Sequence, residues 1–152
     1  MINVGTPAPN FERVDQDEKS ISLASLHGKP VVLFFFPKIG SKICTIEACQ
    51  FQSELPDFEQ LEATVIGISP DSAEGQKKFA EEHKLGYSLV SDQDGQIASS
   101  FQVPKILGLI AGRVTVVIDA AGVVRATLRN EFKADAHVEG AKLALQSLPI
   151  IS

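Results

Sequence analysis

Apolar residues gather in short solid runs, and amphipathic stretches separate them. Pro30–Phe36 is an unbroken series of Val, Leu and Phe, the pattern of a central strand covered on both faces. Ala63–Ser69 reads as a second buried strand and Tyr87–Val90 as a short third. Phe11–Val14 and Ser20–Leu23 flank the polar segment Asp15 to Lys19, which predicts an N-terminal β-hairpin with a solvated turn. Val114–Asp119 and Val123–Leu128 predict another hairpin around Ala120-Ala121-Gly122. Helical periodicity fills the gaps: Lys42–Glu54, which Pro56 should stop; Ser72–His83, with Ser72 as N-cap; a short piece over Gln93–Phe101; and Ala134–Leu148 at the end. Strands that alternate with helices, followed by a hairpin and a last helix, define an α/β domain with a mixed central sheet.

Length and composition narrow this picture. The 152 residues read as one domain, 1–152, large enough to fold around its own core without disulfides or metal. A net charge of −5 argues against non-specific binding to nucleic acid or to an anionic membrane. The longest solid apolar run, Val31 to Phe36, is far too short to span a bilayer, and the apolar region 106–124 is broken by Arg113 and Asp119. No basic segment followed by an apolar stretch marks the start as a secretory signal. The expected location is therefore a reducing compartment, the cytoplasm by default, although a trimmed organellar form would look the same.

The chemistry concentrates in Phe36-Pro37-Lys38-Ile39-Gly40-Ser41-Lys42-Ile43-Cys44-Thr45-Ile46-Glu47-Ala48-Cys49. It follows a buried strand and opens a helix. With Ser41 as N-cap, Cys44 lies in the first turn, where unpaired N–H groups and the helix dipole favour an anion. An ordinary thiol is only a few per cent thiolate at neutral pH, and making the thiolate dominant takes roughly 2.7 kcal/mol. A helix N-terminus typically supplies about 0.3–1 kcal/mol. A cation is therefore expected nearby, and Lys38, Lys42 and Arg113 are candidates that spacing alone does not separate. Packing as small buried hydrophobes is the plain alternative for both cysteines; it suits Cys49, whereas the strand-to-helix junction predicts an exposed Cys44. Along a helix, five residues rise about 7.5 Å and turn about 140° from the starting direction. The two thiols therefore share one helix when reduced and join only after it unwinds. Two cysteines and three scattered histidines (His27, His83, His137) lack zinc spacings, and those histidines are expected to be incidental.

These residues resemble those of the peroxiredoxins, in particular the peroxiredoxin Q or bacterioferritin-comigratory-protein group. The P-x-x-x-[TS]-x-x-C pattern is met by Pro37, Ser41 and Cys44, with a further cysteine five residues on at Cys49. Gly5-Thr6-Pro7-Ala8-Pro9-Asn10-Phe11, Gly67-Ile68-Ser69-Pro70-Asp71-Ser72 and Gly112-Arg113-Val114-Thr115-Val116-Val117-Ile118-Asp119 resemble the family's opening, its middle and its arginine-bearing strand. Ser41 stands where the family more often has Thr, and Lys42-Ile43 where it usually has Pro-Gly. The resemblance implies a thioredoxin-like fold and a thiol peroxidase acting on hydrogen peroxide and alkyl hydroperoxides. Cys44 would be the peroxidatic residue, oxidised to a sulfenic acid. Arg113 would hold the thiolate and the departing oxygen, Ser41 would hydrogen-bond the peroxide, and Pro37 would shield the site from water. Cys49 would be the resolving thiol, forming an intramolecular disulfide that thioredoxin or a similar dithiol protein reduces. No metal or organic cofactor is implied, and the acting unit is expected to be a monomer, with at most a weak dimer.

Glu47 has two open readings, a complement to the helix N-terminus or an orienting partner of Arg113. The apolar stretch Ile106-Leu107-Gly108-Leu109-Ile110-Ala111 also has two, core packing or a patch for a partner or an alkyl tail. Two rival functions stand against the peroxidase. A thiol–disulfide oxidoreductase would want C-x-x-C and a proline before Val114, where this chain has C-x-x-x-x-C and Arg113. A binding or holdase module would merely retain the fold.

Overall fold

A computed structural model describes residues 1–106 and 110–148. The central sheet has five strands, β3 (Val31–Phe35), β4 (Thr64–Ser69), β5 (Ser88–Ser91), β8 (Val114–Ile118) and β9 (Val124–Arg129), in the order β5-β4-β3-β8-β9. β3 runs parallel to β4 and β4 to β5, while β8 is antiparallel to both β3 and β9. The sheet is mixed and flanked by helices, as the alternation of patterns predicts. Every residue of β3 is buried because its two faces feed two cores. Val31, Leu33 and Phe35 pack with Phe11, Ile97 and Phe101, whereas Val32 and Phe34 pack with Cys44, Phe51, Phe58, Phe79 and Val138. The second core belongs to α1 (Lys42–Ser53), α2 (Leu55–Gln60), α3 (Ala73–His83) and α5 (Ala134–Gln146). The first is closed by α4 (Gln96–Ser100) and the N-terminal segment.

The N-terminal hairpin forms from β1 (Glu12–Val14) and β2 (Ser20–Ser22). Its turn is not simply solvated: Asp15 and Gln16 are buried. The Gln16 side chain donates to the Tyr87 carbonyl and accepts from the Leu89 N–H, and Ser88 donates to Asp15. The turn thus covers the free edge of β5, a place where an unpaired strand would invite association. Pro56 ends α1 as expected, but it also opens α2, because the first turn of a helix has no use for the N–H that proline lacks. A second small ribbon, β6 (Lys105–Ile106) with β7 (Ile110–Ala111), had no counterpart in the sequence pattern. The question raised by the apolar stretch 106–111 falls on side chains outside the described residues.

Candidate active site

The loop from Pro37 to Ser41 leaves the C-terminal end of β3 at the middle of the sheet. The Asp71 carboxylate, from beyond β4, accepts from the Ile39 N–H at 2.8 Å and pins the loop. Ser41 is the N-cap of α1: its hydroxyl accepts from the Cys44 N–H at 3.4 Å and donates to the Lys38 carbonyl at 3.3 Å. Cys44 therefore sits in the first turn as predicted, but it is only 1% exposed. The expectation of an exposed Cys44 fails because its side chain points back from the helix into the second core, beside Phe36 and Ala48. Lys42 and Ile43 both lie inside α1, with Lys42 exposed and Ile43 half-buried. Ile43 is not among the residues with positive φ, so no glycine is required there.

Among Lys38, Lys42 and Arg113, the fold brings Arg113 to the sulfur. Arg113 precedes β8, which pairs with β3, so the Arg113 backbone arrives beside the end of the strand that launches the cysteine loop. Arg113 is 3% exposed, and its Nη2 donates to Cys44 Sγ at 3.3 Å. Its Nη1 donates to Glu47 Oε1 at 2.7 Å, across an ion pair from which water is excluded. Lys38 and Lys42 are exposed. The Glu131 carboxylate accepts from the Arg113 backbone N–H at 3.1 Å, and its carbonyl accepts from Nε at 3.5 Å. Gly112 makes room for this contact: a Cβ there would lie 2.8 Å from Glu131 Oε1 and 3.0 Å from the Pro104 carbonyl. The guanidinium thus has a fixed direction, with one arm on Glu47 and the other on the sulfur.

Of the two readings of Glu47, the geometry is that of the Arg113 partner. Burial pushes its carboxyl up to about 7; Arg113 draws it down, and Glu131 adds to the upward push. Glu47 Oε2 has no hydrogen-bond partner among the described residues, although His137 Nδ1 stands 3.7 Å away. His137 is buried, against the expectation that it is incidental. Its Nε2 faces the Asn130 carbonyl at 2.8 Å and so carries a proton, while Nδ1 accepts from the Thr115 hydroxyl at 2.8 Å. Burial holds His137 below the usual imidazole range, so the ring is neutral. For Arg113, burial opposes the charge, but Glu47 and the Cys44 sulfur outweigh it and hold the group above its ordinary range. Glu131 and His137 were invisible in the sequence, being 18 and 24 residues beyond Arg113 without any motif.

This network predicts a pH dependence of stability. The folded Glu47 holds its proton more tightly than the unfolded chain, whose carboxyl ionises near 4.5. Between those values the native state binds more protons, so its stability falls as pH rises and the loss is complete above about 7. The full effect is roughly 3 kcal/mol. His137, with a depressed value, acts the other way and costs stability in acid. Denaturant unfolding followed by circular dichroism, at pH 5 and pH 8, should show Glu47→Gln becoming more favourable relative to the parent at pH 8. An identical difference at both pH values would mean that Glu47 titrates as an ordinary carboxylate.

Cys49 lies five residues after Cys44 on α1 and is half-buried. Both thiols are free, and His83 Nδ1 stands 3.7 Å from the Cys49 sulfur. Pro37 is half-buried at the end of β3. A cleft of about 790 Å³ opens elsewhere, between Phe35, Pro70, Asp94, Ser99 and Lys105, and neither cysteine nor Arg113 lines it. Among the described residues no helix is long and apolar enough to cross a membrane, and no group of three or more His, Cys, Asp or Glu is placed to hold a metal ion.

A sulfur held at a helix N-terminus against a buried guanidinium can act as an anionic nucleophile, the arrangement of a thiol-based enzyme. The AhpC/TSA family profile matches residues 4–127. Peroxiredoxin Q, chloroplastic, of Suaeda salsa is 38% identical over 148 residues, spanning 97% of this chain and 69% of that protein. Its counterpart in Sedum lineare is 36% identical over the same length and is covered to 80%. Among solved structures, peroxidoxin BcpB from Mycobacterium tuberculosis superposes with a TM-score of 0.90 at 35% identity, over 99% of this chain and 100% of that one. A mutant of PrxQ from Xylella fastidiosa gives 0.89 at 26% identity, over 97% of each. The chain belongs to the AhpC/TSA family, within its peroxiredoxin Q and bacterioferritin-comigratory group; it has the thioredoxin-like fold and is a thiol peroxidase.

Proposed function

We propose that the chain reduces hydrogen peroxide and alkyl hydroperoxides in a two-cysteine cycle contained within one protomer, 1–152, acting as a single-domain monomer. The observation that carries this reading is the 3.3 Å contact from Arg113 Nη2 to the buried Cys44 sulfur. The Cys44 thiolate attacks one peroxide oxygen, the O–O bond breaks, and the departing oxygen leaves as water or alcohol after taking a proton. Cys44 becomes a sulfenic acid. Arg113 supplies a fixed positive donor to the sulfur and to the oxygen charge that develops, where electrostatic preorganisation acts most strongly. Ser41 presents a hydroxyl to the peroxide at the helix start, and Pro37 limits water at the loop. Cys49 then attacks Cys44, water is released, and a disulfide forms once α1 unwinds at its N-terminal turns. Thioredoxin or a comparable dithiol protein returns both thiols. A reducing space such as the cytoplasm, or an organelle that supplies such a dithiol, suits the cycle.

Thiol counting tests this directly. One equivalent of hydrogen peroxide added to the reduced protein should remove two free thiols per chain, with no covalent dimer on a non-reducing gel. Two unreacted thiols would end the peroxidase reading, and a disulfide-linked dimer would end the intramolecular one.

A further inference from the structure

The His83 imidazole stands outside the Cys44 centre, yet it is the polar group that meets the second sulfur. It lies in the last turn of α3, with Nδ1 3.7 Å from Cys49 Sγ, within reach of a thiol hydrogen bond. The ring packs on Phe79, centroids 4.6 Å apart at 56°, which sets its edge toward α1. Both Cys49 and His83 are half-buried, so the imidazole can exchange protons with solvent through the shallow cavity it shares with Lys78 and Glu82. Lys78 is turned to Glu74 at 3.7 Å. On the remaining side Tyr87 spends its hydroxyl on the Ala48 carbonyl at 2.7 Å; burial and the charges of Glu47 and Cys49 keep that phenol protonated. Among the described residues, His83 is the side chain with a hydrogen-bond contact to the Cys49 sulfur, and an imidazole is the kind of side chain that serves as a proton acceptor.

We infer that His83 is the general base of the resolving step, accepting the Cys49 thiol proton at Nδ1 so that this sulfur meets oxidised Cys44 as a thiolate. The inference rests on the two-cysteine cycle proposed above. Unwinding of α1 would start at its N-terminus, whose first N–H groups are capped by Ser41 alone, and would lift Cys44 out of the second core while Ala48 and Phe51 hold the later turns there. Unwinding therefore carries Cys44 toward Cys49 and leaves Cys49 against α3. The Cys49 thiolate attacks the Cys44 sulfur, an S–S bond forms and the S–O bond breaks. Hydroxide leaves and takes a proton, which the imidazolium returns. The sum is one thiol plus one sulfenic acid giving one disulfide and one water, with no external oxidant or reductant.

The test uses His83→Gln, which keeps a polar side chain but does not titrate. Reduced protein is mixed with one equivalent of hydrogen peroxide and quenched at intervals with dimedone and N-ethylmaleimide, and mass spectrometry counts sulfenic acid, thiol and disulfide. Cys44 oxidation should keep its rate, while disulfide formation at pH 7 slows roughly tenfold, because an unassisted thiol is only a few per cent thiolate there. The gap should close above about pH 9, where an unassisted thiol ionises by itself. Peptide-resolved labelling of Cys49 by iodoacetamide in the reduced protein should slow in the same pH-dependent way, a readout that needs no turnover. Unchanged disulfide formation at pH 7, or an equal slowing at every pH, would overturn the inference and leave His83 as packing. If Cys44 forms no sulfenic acid in either protein, the peroxidase cycle itself is overturned, and this step with it.

Discussion

Cys44→Ser is expected to consume no peroxide, whereas Cys49→Ser should consume its first equivalent per chain and then stall without turning over. The two thiols share a helix but not a role. Cys44 has both the helix N-terminus and Arg113 at its sulfur, the two sources of positive potential that a thiolate needs. Cys49 lies a turn and a half further on, beyond the reach of either. Stopped assays with a ferrous-ion peroxide stain give the equivalents consumed, and dimedone labelling in the Cys49→Ser protein places the oxidised sulfur. With no second thiol to trap it, the sulfenic acid in that variant should move on to sulfinic acid as peroxide is raised. Normal steady turnover of Cys49→Ser with a thioredoxin system would remove Cys49 from the resolving role.

Arg113→Ala should lower the second-order rate of Cys44 oxidation by roughly 10²–10³, the usual cost of deleting one preorganised donor to a developing oxyanion. It should also cost stability, because the guanidinium is half of a buried ion pair. Breaking such a pair typically costs about 3–5 kcal/mol when the partner charge is stranded. Here the partner has an escape: without Arg113, nothing draws the Glu47 carboxyl down, and Glu47 can remain protonated at neutral pH. The stability loss should therefore be smaller at pH 6 than at pH 8.5, which paired denaturation curves can read. Arg113→Lys should recover little activity, since a single ammonium cannot reach Glu47 and the Cys44 sulfur with two separate donors. Full activity in Arg113→Lys would mean that charge alone suffices and that the two-armed geometry is immaterial.

Local rules carried the reading of this chain a long way. Unbroken apolar runs marked β3 and β4 because a strand covered on both faces has no polar side to show. Ser41 and Ser72 marked helix starts because their hydroxyls satisfy N–H groups that nothing else satisfies, and both do so in the structure. The cysteine spacing and the cap placed Cys44 in its first turn before any tertiary contact was known. What those rules missed has one physical character: it depends on groups distant in sequence. Gln16 looks like a turn residue until the edge of β5 is set beside it. Pro56 looks like a stop until the chain turns and uses it as a start. Cys44 looks exposed until the second core closes over its first turn.

Chain order alone thus determined the α/β class, the helix that bears both sulfurs and the need for a cation that no dipole could replace. Only the tertiary structure chose Arg113 over two lysines nearer in sequence, because antiparallel pairing of β8 with β3 delivers the guanidinium to the sulfur from inside the core. It also decided the company each sulfur keeps, with Glu47 and His137 behind Arg113 and His83 behind Cys49. A pattern along the chain encodes which face of an element is buried, but the partner that a buried polar group meets is set by how whole elements pack, and that is written in no short stretch of sequence.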